Sequence, residues 1–221
     1  MTKDTWEYWY KGKQRPIETE VTYIGDVLQN DKSCRVLDYG CGTGRHTVYL
    51  AGRGLDVYGF DLSPSAISRT RSGLEGLNLR AHLRVWDMRR PLPYRTAFFD
   101  GIICAMVMHH ARFKAIIEEA GEIDRVLSPG GYLFLQVERR AQVTRYLAEH
   151  PEAHSLIEPG TYIPLKDPEK GVPHHGFTRR ELEALFPHYS FLKLHYATKH
   201  YGGLCLVACK PRKPAQNQRP N

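Results

Sequence analysis

The sequence contains no apolar run approaching the roughly 20 residues of a membrane-spanning helix. Its opening, "MTKDTWEYWYKGK", lacks the apolar core of a secretory signal. Cysteine is scarce: five residues, an odd number, scattered and without a CxxC pair. Such thiols form no disulfide framework and no cysteine zinc site, and they suit the cytoplasm, where the chain is expected. No internal repeat is present. Charge of one sign is only moderately in excess, +7 with a pI near 9.2. A basic balance of this size permits an RNA or phosphorylated partner without demanding one.

What is there is enough for a sizeable core. A chain of 221 residues buries about 70% of its unfolded surface when it folds as one unit. Apolar strands alternate with helical spacings. "CRVLDY", "LDVYGFD", "LRAHLRVWD", "FFDGIICAMV" and "YLFLQVE" read as five strands. The fourth is apolar throughout, as a parallel strand buried on both faces is. Between them lie helices, one opened by Ser63 as N-cap with Pro64 at its first position, and one stopped by Pro-Gly-Gly at 129–131. This alternation predicts a parallel sheet with right-handed crossovers.

After Glu138 the rhythm changes. "RRAQVTRYLAEH" reads as a helix, and the proline-rich stretch that follows has no clear periodicity; together, at about 139–177, they are expected to form a functional cover. Thr178 caps a short helix. "SFLKLHYAT" and "GGLCLVACK" then form an antiparallel hairpin. The last residues, 211–221, are Pro-rich and basic and read as a disordered tail.

The informative stretch is "VLDYGCGTGRHTVYL", Val36 to Leu50. Gly40, Gly42 and Gly44 sit between the first strand and its helix, at the sheet edge where open α/β folds bind ligands. Bare backbone there lets a ligand approach closely. The dinucleotide pattern GxGxxG places its last glycine on what is here Arg45. A pyrophosphate cofactor therefore fits poorly, and a dehydrogenase is disfavoured. A nucleoside joined to an amino acid fits better.

The chain resembles the class I S-adenosylmethionine-dependent methyltransferases over most of its length, from about Val36 to Lys210. "LDYGCGTG", "VYGFDLSPSAI", "VWDMRRPLP", "FFDGIICAMVMHH" and "EIDRVLSPGGYLFL" match that family's motifs in order. The resemblance implies an α/β fold with a Rossmann-like, seven-stranded, mostly parallel sheet, a C-terminal antiparallel hairpin and helices on both faces. It also implies S-adenosylmethionine as cofactor and S-adenosylhomocysteine as product. Asp61, 21 residues after Gly40, is suited to accept hydrogen bonds from both ribose hydroxyls. The family's adenine acceptor falls on Asp87, with Met88 offering a backbone N–H to the ring. Asp38 would orient the glycine loop or meet the ligand's ammonium. Cys41 and Leu62 complete the cofactor contacts, and the backbone of Cys104 and Ala105 would line the methionine part.

Residues 1–30 are expected to form a helical lid. Trp9 and Tyr10 offer aromatic faces to a sulfonium, and Arg15 could pair with the cofactor's carboxylate. His109 and His110 follow strand four, where the family places reacting groups, while His174 and His175 lie on the cover. His110, His109 and His175 are the candidate proton acceptors. No metal site is expected, because adjacent side chains rarely chelate one ion. The reading is a methyltransferase acting on an N, O or S atom of a small molecule. RNA methylation is an alternative, supported by the basic charge and "RRAQVTR", but neither an RNA-binding module nor an Asn/Asp-Pro-Pro-aromatic motif is present. A non-catalytic cofactor-binding protein is a second alternative. The sequence leaves the oligomeric state open.

Overall fold

The computed structural model describes residues 16–29, 34–197 and 203–212. Helix α1 (Thr19–Gln29) leads into β1 (Arg35–Tyr39), α2 (Arg45–Gly52), β2 (Asp56–Asp61), α3 (Pro64–Glu75) and β3 (His82–Val85). Then come β4 (Phe99–Ala105), α4 (Phe113–Val126), β5 (Leu127–Glu138) and α5 (Arg140–Glu149). A single 3₁₀ turn (Pro151–Ala153) precedes β6 (His154–Glu158), β7 (Thr161–Pro164) and β8 (His174–His175). The chain closes with α6 (Arg179–Leu185), β9 (Ser190–Tyr196) and β10 (Gly203–Cys209).

The main sheet has the order β3-β2-β1-β4-β5-β10-β9. The first five strands run parallel, and β10 is antiparallel to both β5 and β9. The expected terminal hairpin is therefore present, but only β10 runs against the rest. Because side chains alternate across a strand, each buried strand feeds two cores. Leu37, Ile102, Leu133 and Leu135 face α4 and α6 through Ile116, Ile123, Leu182 and Phe186. Val36, Ile103 and Phe134 face α1 and α2 through Val21, Ile24, Leu28 and Leu50.

Helix starts follow the sequence signals. Ser63 Oγ accepts the Ala66 N–H at 3.1 Å. Thr178 and Glu181 form a reciprocal capping box at 3.2 and 2.7 Å. Two expectations change. Helix α1 packs on the sheet, with Val21 and Ile24 wholly buried, so this part of the expected 1–30 segment belongs to the core. Residues 1–15, including Trp9, Tyr10 and Arg15, lie outside the described residues, as does 213–221 of the tail. The cover is not a long loop. It is a second sheet of order β6-β7-β8. Its strands are only 5, 4 and 2 residues long, too short for an alternating pattern to stand out among the prolines.

Candidate active site

From β1 the chain builds outward through β2 and β3 on one side of the sheet, and from β4 through β5 on the other. The crevice at that switch point is where an open α/β sheet holds its ligand. A cavity of about 660 Å³ opens there, lined by the glycine loop at one end and by the cover at the other.

At the loop end, Gly40, Gly42 and Gly44 all have left-handed φ values, 69°, 55° and 83°. A Cβ on Gly40 would stand 2.7 Å from Val107, and one on Gly44 would run into Thr70. Those two glycines let the loop pack, while Gly42 lies along the cavity wall. Asp61 Oδ2 accepts the Gly42 N–H and Oδ1 accepts the Ser63 N–H, both at 2.9 Å. This carboxylate thus shapes the loop and still lines the cavity. Asp38 is buried and accepts the Thr47 hydroxyl at 2.6 Å, tying β1 to α2. Burial pushes its carboxyl above the usual range.

Asp87 is held by the Arg89 guanidinium, with bonds of 2.6–3.1 Å to both of its oxygens, which keeps the carboxyl below its usual range. Beside it the buried Trp86 Nε1 has no hydrogen-bond partner among the described residues.

Past β4 the backbone turns sharply. Met106 adopts φ 60° while its N–H donates to Gln136 O at 2.7 Å. The turn brings Val107 under Gly40 and leads His109 and His110 to the cavity wall. The cover meets them there. His175 N–H donates to His109 O at 2.8 Å, and Phe177 N–H to Glu138 O at 2.7 Å. His174 thereby stands over His110 with ring centroids 4.7 Å apart, and over His109 at 6.0 Å. Tyr162 stacks on the His174 ring at 5.1 Å. Burial pushes the His109 imidazole down to about 4 and His110 well below its usual value, so both rings are neutral at pH 7. Against burial, which raises it, His109 and His174 draw Glu138 below the ordinary carboxylate range.

A family model described as "Methyltransferase domain" matches residues 36–131. An S-adenosyl-L-methionine-dependent Diels-Alderase of Talaromyces variabilis is 32% identical over 155 residues, covering 67% of this chain and 51% of that protein. A ubiquinone biosynthesis O-methyltransferase of Xylella fastidiosa (strain 9a5c) is 35% identical over 142 residues, 62% of this chain and 56% of that one. The solved structure of a SAM-dependent methyltransferase from Methanosarcina mazei superposes with a TM-score of 0.68 at 25% identity, covering 85% of this chain and 98% of that one. The chain carries a class I S-adenosylmethionine-dependent methyltransferase domain. It spans about half the length of the curated relatives it matches.

Within this methyltransferase domain, the cavity brings together most of the residues picked from sequence: Asp38, Gly40, Cys41, Gly42, Asp61, Leu62, Asp87, Met88, Ala105, His109 and His110. Gly44 sets the loop from behind. Cys104 is not a lining residue; its side chain is wholly buried in the α4 core, and the wall begins one residue later. His175 is also misplaced as a candidate base. It follows His174 on a strand, so it points to the opposite face. There its Nδ1 meets Thr161 Oγ1 at 2.7 Å and its Nε2 lies 3.6 Å from Glu181, away from the cavity.

Four acids in the wall, Glu119, Glu138, Asp167 and Glu169, were missed. Signals existed for two of them. Glu119 follows Ile116 by one helical turn, on the apolar face of α4, and Glu138 ends a strand at the ligand edge. Burial pushes the Glu119 carboxyl up to about 8, so it is protonated at neutral pH. No helix among the described residues is long and apolar enough to cross a membrane.

Proposed function

We propose that the chain moves the methyl group of S-adenosylmethionine to an oxygen, nitrogen or sulfur atom of a small molecule held under the β6-β7-β8 sheet. The observation that carries this reading is one continuous cavity, with the glycine loop at one end and a roofed, histidine-lined chamber at the other. A roof of this kind favours a small acceptor over a polymer such as RNA. The ubiquinone-biosynthesis relative, an O-methyltransferase by name, points the same way.

The residues present suit the cofactor. Asp61 lines the cavity at the end of β2, and a carboxylate there suits the ribose hydroxyls. Gly42 leaves bare backbone at the wall. Trp86, Asp87 and Met88 line the wall next to it. When bound, S-adenosylmethionine supplies a methyl made electrophilic by its positive sulfur. The chain has to align the acceptor behind that methyl and exclude water, and alignment contributes roughly 7–11 kcal/mol at best. His109 and His110 border the acceptor's place, where a neutral imidazole offers a lone pair.

Incubation with methyl-labelled S-adenosylmethionine and a panel of small hydroxyl, amine and thiol compounds tests the reading. Label is expected in a small product. Tight S-adenosylhomocysteine binding with no transfer to any acceptor would overturn it. That outcome favours a protein that uses the cofactor without methylating, a reading the Diels-Alderase relative keeps in view.

A further inference from the structure

The acceptor chamber holds more unsatisfied imidazole than a proton relay needs. His109, His110 and His174 are all buried, and one ring nitrogen from each lies within 4.8 Å of the others. His109 Nδ1 has no hydrogen-bond partner among the described residues, and His174 has none at either nitrogen. Yet His174 is only 2% exposed. Buried polar atoms left unpaired are costly and call for a missing partner.

Carboxylates surround the cluster. Glu138 Oε1 lies 3.6 Å from His174 Nδ1 and 3.9 Å from His109 Nε2, and Glu169 lies 3.4 Å from His174 Nε2. Glu138 Oε2 is itself buried with no hydrogen-bond partner among the described residues. Three imidazoles and two carboxylates facing one space, with ring nitrogens on His109 and His174 that have no hydrogen-bond partner among the described residues, are the environment of a cation.

We propose that His109, His110 and His174 bind one divalent transition-metal ion of the Zn²⁺ type, with Glu138 and Glu169 beside them. Imidazole nitrogens select this class of ion over Mg²⁺ or Ca²⁺, which prefer oxygen. At bonds of about 2.1 Å, tetrahedral ligand atoms stand roughly 3.4 Å apart, so each ring has to move inward by under about 1 Å. The backbone bond from His175 N to His109 O already fixes the two histidine segments against each other. The pair at 109–110 cannot close an ion alone, and β8 supplies the third ligand.

Three protein ligands leave a position open, as catalytic zinc sites do. All three histidines line the cavity, so the ligand such a position would take is the methyl acceptor, through a hydroxyl or thiol. A bound ion lowers the proton affinity of such a group, and the histidines then serve as ligands in place of bases. This last step rests on the methyltransferase reading; the metal site does not.

The test uses tag-free full-length chain, stripped with chelator and titrated with Co²⁺ and Zn²⁺. One Co²⁺ per chain is expected, with the visible absorption of a four- or five-coordinate ion. His174→Ala should weaken binding at least tenfold, and His110→Gln should do the same if the first variant folds poorly. S-adenosylhomocysteine affinity in both variants should stay within about threefold of wild type, which shows that they fold. No visible Co²⁺ spectrum, or equal metal affinity in wild type and folded variants, would overturn the proposal. Failure of wild type to bind S-adenosylhomocysteine would instead sink the methyltransferase reading and leave the metal result standing.

Discussion

The two ends of the cavity are made of different material. At the loop end the wall is backbone and short acids, and each piece sits within a few residues of a strand end: Gly42 after β1, Asp61 closing β2, Asp87 after β3. At the cover end the wall is imidazole, phenol and longer carboxylate, drawn from residues as far apart as His109 and His174. One end suits a ligand of fixed shape, because backbone geometry is set by the fold itself. The other suits a ligand that varies between proteins, because side chains on an added sheet change without disturbing the core. On this account, damage at one end should leave the other end working.

The largest effect expected is at the cover end. Replacing both His109 and His110 by Ala should lower turnover at least about 100-fold, the lower range for losing an acid, base or Lewis-acid group. Melting should remain cooperative, since neither ring fills a strand core. Steady-state assay with labelled cofactor checks this, and undiminished turnover would reduce the histidines to packing.

A smaller effect sharpens the description of the loop end. In Gly44→Ala the left-handed backbone carries a side chain that runs into Thr70. Strain of about 1–3 kcal/mol follows, which lowers the melting temperature by roughly 3–10 °C in a domain of this size. Calorimetry of the variant reads this directly. An unchanged melting temperature would mean that the loop relaxes freely.

The smallest effect concerns the rim between the ends. Glu18 bonds Arg45 at 2.9 Å and His46 at 2.6 Å, and both partners line the cavity. Against burial, which raises it, His46 and Arg45 draw the Glu18 carboxyl down from 4.5 to about 2. A group depressed on folding contributes stability above its unfolded pKa and loses it as pH falls through the folded value. Wild type should therefore lose stability between about pH 4.5 and pH 2, by an amount on the order of 1 kcal/mol for a partly exposed pair. Glu18→Gln should flatten that acid limb in urea titrations at successive pH values.

The same division explains what could be read in the sequence. The strand order's beginning, the loop, Asp61 and Asp87 were legible because each signal is local: a strand followed at once by its ligand group. The role of α1 was harder to see. The spacing of Val21, Ile24 and Leu28 marks an apolar face, but what covers that face is decided by β4 and β5, far along the chain. The β6-β7-β8 sheet was missed because its strands are too short to show a period. With it went the meeting of His174 with His109 and His110, since β8 pairs with β7 and bonds back to the turn after β4. His175 was misjudged for the same reason. Its neighbour's orientation was needed before its own could be known.

The division itself is tested most directly by isothermal titration of S-adenosylhomocysteine into wild type, Asp61→Ala and His110→Ala. Asp61→Ala removes charge-assisted hydrogen bonds worth about 1.5–3 kcal/mol each. The account predicts one site in wild type, affinity at least about tenfold weaker in Asp61→Ala, and affinity within about threefold of wild type in His110→Ala. Equal weakening in both variants, or no binding to wild type, would contradict it.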